Sequence, residues 1–552
     1  MAILSNALRG STEEGEAFLS PTEAYHPLPL PRKKPWVLLV GLIFVLVTVI
    51  DVGAYLAEAP QTRIFEANLC LTYYREHDPS VILGDGSIPE KLCKVDEVQQ
   101  RLAGLFGWAE MFNAFPAILL AVPYGTLADR VGRKWVFIAS LVGLQLDFAW
   151  VLLICEWAGE SSTGCTANTW TGYFKTLPLQ LTWFSSAFLV IGGGPIVAMA
   201  VGLTMVSDVA PPEKRTTIFL YLTACTLVAE IVAPLMAARL MEQGEWLPLL
   251  VALAIQIAGV MVALFLPETL HLRDLPEPQD DEDAQSIELQ PKGSDFSLKT
   301  QLRNFQNAVL FLRSDFTLAL VVFTFLANRL GRQAMTLLVR YASKRYNWEI
   351  KQAAYLLSLR AATNLVAITV FIPLINFLLL KKFRFPAHWA DLYIARGSLV
   401  LAAIAFFVMG IAAHPSLLIV GLLIYNMGTG FAAAMRSVSI HVVGGQSSPD
   451  IGKLMSTIAI AESIGAMVAG PLLNTTFQWG IGLGTAWLGL PFLGSVVVLA
   501  CMTAVTFLID VSDKEVAYVE VQSIEEDILD EGVRRSGSAL EQEETVRHRD
   551  AS

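Results

Sequence analysis

Charge is scarce in this sequence. Only 16% of its 552 residues are Asp, Glu, Lys or Arg, against roughly a quarter in a soluble globular domain. The deficit comes from long apolar stretches such as Trp36 to Ala57, where Asp51 is the only charge. A conventional water-soluble domain is therefore excluded. Cysteine is scarce too: six residues are too few for a disulfide framework, and no Cys-x-x-Cys or Cys/His cluster suggests a metal. The seven histidines are scattered and form no catalytic constellation. Gly192-Gly193-Gly194-Pro195 is not followed by Lys-Ser/Thr, so it is no phosphate loop, and its place is better read as close packing or bending. The lack of a phosphate loop argues against an ATP-driven pump within the chain. No basic stripe points to nucleic acid. No cofactor, metal or enzymatic activity is expected.

Apolar helices are abundant instead, and mean hydropathy is +0.52. A bilayer span needs about 20 apolar residues. About twelve candidate spans lie near 36–58, 104–124, 134–157, 181–207, 217–240, 246–267, 316–340, 352–380, 393–412, 417–443, 454–476 and 485–510. All are expected to be helices, because lipid offers no partner to an open strand edge. The first 35 residues are polar and Pro-rich and lack a cleavable signal pattern, so the first span is expected to be retained. The fold class is thus an all-α membrane protein of about twelve helices in two six-helix halves.

The expected organisation is a cytoplasmic tail (1–35), a first half (36–267), a cytoplasmic linker (268–315), a second half (316–510) and a cytoplasmic tail (511–552). The net charge of −11 sits largely in the runs Glu277–Asp283 and Glu525–Glu544, which read as solvated and disordered. Basic residues in short loops set orientation. Arg32, Lys33, Lys34, Arg130, Arg133, Lys134, Lys214, Arg215, Lys381, Lys382 and Arg384 fall on one side if both termini are cytoplasmic. Lys344, Arg345 and Lys351 contradict the pattern. Ala224, Ala229 and Pro234 recur at the same spacing as Ala461, Ala466 and Pro471, a faint sign that the halves are related.

Between the second and third spans the chain reads Gly125-Thr126-Leu127-Ala128-Asp129-Arg130-Val131-Gly132-Arg133-Lys134. This resembles the signature loop of the major facilitator superfamily, at the position that family has it. Gly125 and Gly132 would permit a tight reversal and close helix approach. Asp129 would meet a facing helix N-terminus or an arginine. Arg130, Arg133 and Lys134 would hold the loop at the anionic inner leaflet. Pro267-Glu268-Thr269 ends the sixth span as in many members. In the fifth span, Ala233-Pro234-Leu235-Met236-Ala237-Ala238 resembles the Gly-Pro-x-x-Gly-Gly pattern of the proton-antiporter branch, with alanine replacing glycine at three positions. A plain helix-packing face is the alternative. The resemblance implies a monomeric secondary transporter of a small organic molecule, driven by protons through alternating access. Export is the first expectation and uptake the second; the plasma membrane is favoured over an internal one. A transporter-like sensor is a remote alternative.

Ionisable residues at bilayer depth are candidates by default. The first half holds Asp51, Glu58, Glu110, Asp147 and Glu230, with Arg239 near a helix end. The second half holds Arg329, Arg332, Arg360 and Arg436 against Glu462. Asp51, Tyr55 and Glu58 share one helical face, and Arg329 and Arg332 share another beside Asn328. Gating ion pairs between the halves, substrate contacts and local helix pairing are all open readings. Glu230, four residues before Pro234, is the first candidate for proton coupling, because a carboxylic acid taken out of water holds its proton more tightly. Asp147 is the rival. Cys70 and Cys93 share the outer loop and could bridge, with Cys165 as another partner. Asn474-Thr475-Thr476 is a sequon too close to the membrane to be a good acceptor.

Overall fold

The computed structural model describes residues 36–84, 86–160, 179–209, 215–269, 316–443 and 451–509. Both tails, both acidic runs, most of the linker, Lys214 and Cys165 lie outside the described residues. Among the described residues there is no strand. The first set of helices is α1 (Trp36–His77), α2 (Asp96–Val131), α3 (Arg133–Glu160), α4 (Gly194–Val209), α5 (Arg215–Met241) and α6 (Leu247–Leu264). A 3-10 run, Leu179–Val190, leads into α4. In the second set, α7 covers Phe316–Ala334 and continues through a 3-10 turn (Met335–Leu337) into Leu338–Tyr346. α8 is Ile350–Val366, prolonged to Lys382 through two π turns. Then come α9 (Ala387–Gly410), α10 (Pro415–Met427 and Phe431–Val442), α11 (Ile451–Leu483) and α12 (Leu490–Phe507).

Eleven helices among the described residues are long and apolar enough to cross a membrane. The twelfth element, α7, carries Asn328, Arg329, Arg332 and Gln333 in its second half, which interrupt its apolar run. One boundary departs clearly from expectation. The first span was expected to stop near residue 58 and a loop to fill 59–103. Instead α1 runs through Pro60 to His77, and α2 starts at Asp96. The residues that end the apolar stretch, Thr62, Arg63, Glu66 and Asn68, are buried. Their polar groups find protein partners, so the helix need not end where the hydrophobicity does.

The two sets meet along two seams, α2 on α11 and α5 on α8, with a lesser contact of α1 on α8. Within the sets, α1 packs on α5 and α6, α7 on α11, and α9 on α10 and α12. Lipid tails are as apolar as leucine, so helices in a bilayer associate through close packing and polar contacts. The alanine-rich stretch of α5 serves the first. Ala233 and Ala237 are fully buried in one cluster with Leu56 and Ala57 of α1 and Leu249 and Ala252 of α6. Pro234 and Ala238 are buried beside them.

Candidate functional site

Glu230 lies near the middle of α5, and Pro234 inside the same helix removes the backbone donor for Glu230's carbonyl. The Glu230 side chain is buried and forms an ion pair with Arg360 of α8, receiving a hydrogen bond from its guanidinium. This pair crosses from the first set to the second. Glu58 lies in the field of Arg360, Glu230 and Arg340. Tyr55 lies in that of Glu230, Asp51 and Arg360. The face shared by Asp51, Tyr55 and Glu58 therefore turns toward the pair, and Asp51 also reaches Thr226 of α5. Asn426 of α10 fixes the other side: its Nδ2 donates to the Arg360 carbonyl (3.1 Å) and to Thr363 Oγ1.

The second seam has its own polar centre. Arg340 of α7 donates to Asn474 Oδ1 of α11 (2.7 Å), and Asn474 Nδ2 donates to Glu110 Oε2 of α2 (3.2 Å). Thr336 Oγ1 donates to the other Glu110 oxygen (3.2 Å), and the Arg340 guanidinium stands 3.8 Å from it. The same guanidinium stacks 4.2 Å from the Phe106 ring centroid. Asn474, read in the sequence as a sequon, is a buried cross-seam residue. Arg340 was missed there, although Arg332, Thr336 and Arg340 continue a four-residue helical spacing.

Beyond these seams stands a cap tied by the Cys70–Cys93 disulfide. Within it Lys94 Nζ donates to Glu66 (2.7 Å), and Arg63 Nε donates to Glu245 (2.8 Å). The cap also grips the second set. Lys344 Nζ donates to Asp96 (2.6 Å) and to the Lys94 carbonyl, and the Ile350 backbone N–H donates to Glu90 (2.6 Å). The hydrogen bond from Lys351 holds the Glu349 carboxyl below its ordinary range. So Lys344 and Lys351, which break the loop-charge pattern, are engaged in pairs. Among the described residues the polar contacts between the sets run from this cap through the Glu110 cluster to Glu230–Arg360, so this end is taken as the closed one.

At the opposite end the signature stretch is mostly helix, not loop. Gly125 to Val131 belong to α2, and Gly132 alone makes the break, at φ +120°. A Cβ on Gly132 would come 2.5 Å from Glu268 Oε2. Gly125 is helical and exposed, and a Cβ there would meet nothing within 4 Å, so it allows no close approach. Of the two partners expected for Asp129, it meets the arginine: among the described residues its side chain, 59% exposed, pairs with Arg133 at 3.2 Å. The carboxylate on a helix N-terminus is Glu268, which accepts the Arg133 and Lys134 backbone N–H groups (2.9 and 3.2 Å). That is where the helix dipole favours an anion. Arg133 is buried and paired with Asp208 at the end of α4. Lys134 Nζ donates to the Leu264 carbonyl at the end of α6 (2.8 Å). Arg130 is exposed and engaged elsewhere.

Of the readings left open for the remaining arginines, two of them show pairing within their own set. Arg332 and Arg436 share Glu462 of their own set, at 3.8 and 3.2 Å, because α11 packs directly on α7. Arg329 lies beside Arg332 and Glu462. Asp147 of α3 sits next to Ser185 of the 3-10 run, a local contact away from both seams.

The profile of the Major Facilitator Superfamily matches residues 99–470. The chain is 34% identical over 444 residues to the MFS efflux pump atnC of Emericella nidulans, covering 80% of this chain and 82% of that one. It is 29% identical to the efflux pump ustT of Aspergillus flavus, covering 86% and 87%. The crystal structure of the human organic anion transporter MFSD10 superposes with a TM-score of 0.51 at 18% identity, covering 86% of this chain and 99% of that one. With a profile match spanning most of the helices and a relative this similar over four-fifths of its length, the chain belongs to the Major Facilitator Superfamily.

Proposed function

We propose that this chain exports an organic small molecule across the plasma membrane by alternating access, in exchange for protons. The observation that carries the coupling is the Glu230–Arg360 pair, which links the two helix sets at mid-depth. An ionised carboxylate beside a guanidinium holds the sets together. Protonation of Glu230 removes one charge of the pair and loosens the α5/α8 seam. Proton uptake from the outside and release to the inside would then drive the sets between two arrangements. Relatives named as efflux pumps support the outward direction. The disulfide-tied cap is the extracellular face in this reading, and the Gly132 turn with Glu268 and Asp208 is the cytoplasmic one. Asp129 and Arg133 at that turn bias the balance between states without touching cargo.

The test is paired in one set of proteoliposomes. Accumulation driven by a pH gradient and counterflow without a gradient are both read by mass spectrometry on a mixed metabolite pool. Glu230→Gln should lose the first and keep the second, because glutamine mimics the protonated acid. Asp147→Asn should retain both. Gradient-driven accumulation at the wild-type level in Glu230→Gln would assign coupling elsewhere, with Asp147 next.

A further inference from the structure

Arg360 is neutralised by Glu230 and Arg340 faces Glu110, but Arg329, Arg332 and Arg436 are not matched one for one among the described residues. Arg329, Arg332 and Arg436 together face one carboxylate, Glu462. Among the described residues, three guanidinium groups against one carboxylate leave two positive charges. Arg329 Nε and its neighbour Asn328 Nδ2 are buried with no hydrogen-bond partner among the described residues. The Arg332 and Arg436 side chains are 50% and 46% exposed. Arg436 also lies 6.0 Å from the Phe325 ring, so an apolar surface adjoins the charge.

Position decides what these groups serve. Arg332 lies about 20 Å or more along α7 from either of its ends, by a rise of 1.5 Å per residue. That is too deep for a guanidinium to reach a lipid headgroup. Toward the closed end, Thr336 and Arg340 on the same helical face meet Glu110 of the first set. Arg332 and Arg329 continue that face away from the closed end, so they point at the space between the sets. Unmatched positive charge at this depth is costly. It persists where something transient supplies the counter-charge.

We propose that the cargo is an organic anion, and that Arg329, Arg332 and Arg436 receive its acid group; this rests on the transporter reading above. Guanidinium groups suit carboxylate, sulfate and phosphate oxygens through paired N–H donors. Asn328 supplies a further donor. Tyr425 of α10 lies in the field of both Arg332 and Arg360. Bound anion and the Glu230 carboxylate are thus neighbours in one electrostatic cluster, which lets arrival of one influence release of the other.

The experiment is counterflow with a water-soluble extract of small organic metabolites, used untreated or after methyl esterification of its acids. Mass spectrometry identifies what the vesicles accumulate. The species accumulated from the untreated extract should be acids that are anionic at neutral pH, and esterification should abolish their uptake. The Arg332→Gln/Arg436→Gln double variant should accumulate about tenfold less, or lower still, as loss of hydrogen bonds to a charged group implies. Arg332→Lys should retain more than Arg332→Gln. Size-exclusion profiles check folding, and the esterification arm on wild type needs no variant. Neutral or cationic species, or uptake that survives esterification, would overturn the anion inference and leave the export reading standing. No accumulation by wild type from either extract would overturn both.

Discussion

The two seams between the helix sets use helices with the same Ala-Ala-Pro spacing and different chemistry. α5 carries Ala224, Ala229 and Pro234; α11 carries Ala461, Ala466 and Pro471 at the same spacing. Each crosses to a helix of the other set, α5 to α8 and α11 to α2. At α5/α8 the bond is a carboxylate–guanidinium pair, Glu230–Arg360. At α2/α11 the direct hydrogen bonds to Glu110 come from neutral groups, Asn474 of α11 and Thr336 of the adjoining α7, with the Arg340 guanidinium 3.8 Å away. The helices also approach closely there: a Cβ on Gly107 would lie 2.8 Å from Asn474 Cβ. An ion pair weakens when one partner takes up a proton, whereas amide and hydroxyl donors keep their bonds to a neutral carboxyl oxygen. One seam is suited to switching and the other to a fixed fit.

Four measurements break or sharpen that contrast. The largest effect is expected from Arg360→Gln, which leaves a buried carboxylate without its cation. Breaking a buried pair in this way costs about 3–5 kcal/mol, so both gradient-driven accumulation and melting temperature in detergent should fall. A variant with wild-type melting and accumulation would remove the α5/α8 pair from any central role. Next is Gly107→Val, which overfills the α2/α11 contact at a cost of about 1–3 kcal/mol. Maleimide labelling of a cysteine placed at Gln100 should rise several-fold from the outer side as the seam opens. Unchanged labelling would show that this seam does not depend on close approach.

A smaller effect is expected from Glu110→Gln. Glutamine keeps an acceptor for Asn474 or Thr336, so gradient-driven accumulation should stay within about threefold of wild type, the scale of one neutral hydrogen bond. Complete loss would mean that both seams carry protons and the contrast fails. The smallest effect lies away from both seams. Asp129→Asn removes one contact of an exposed carboxylate across the Gly132 turn, worth about 0.2–1 kcal/mol, while Arg133 keeps its buried partner Asp208. Melting should barely move, so any transport defect in that variant is a defect of switching. A large drop in melting temperature would show that the turn holds the fold together.

Much of this was legible along the chain. The helical spans, the repeated Ala-Ala-Pro spacing and the Glu230–Pro234 pairing on one helix all follow from local pattern. The Cys70–Cys93 bridge was among the possibilities, and the structure forms it. Other features were legible as residues but not as roles. Glu268 stood in a noted tripeptide, yet its capping of α3 depends on where α6 ends relative to Gly132. Asp208 gave no signal beyond its place at the end of a span. Lys344 looked like a misplaced positive charge and Arg340 drew no notice, until the cap and α2 brought Asp96 and Glu110 to them.

The division has a physical cause. Hydrophobic length, helical spacing and proline act within a few turns of one helix, so the sequence by itself determined the spans, the acidic face of Asp51, Tyr55 and Glu58, and the family resemblance. Ion pairing acts between helices far apart in the chain, over distances of a few ångströms. Only the tertiary structure decided that Arg360 meets Glu230, that Arg332 and Arg436 turn instead to Glu462, and that Glu268 rather than Asp129 sits on the helix terminus. Composition can count opposite charges in two halves, but the packing of α5 on α8 and α11 on α7 chooses which of them touch.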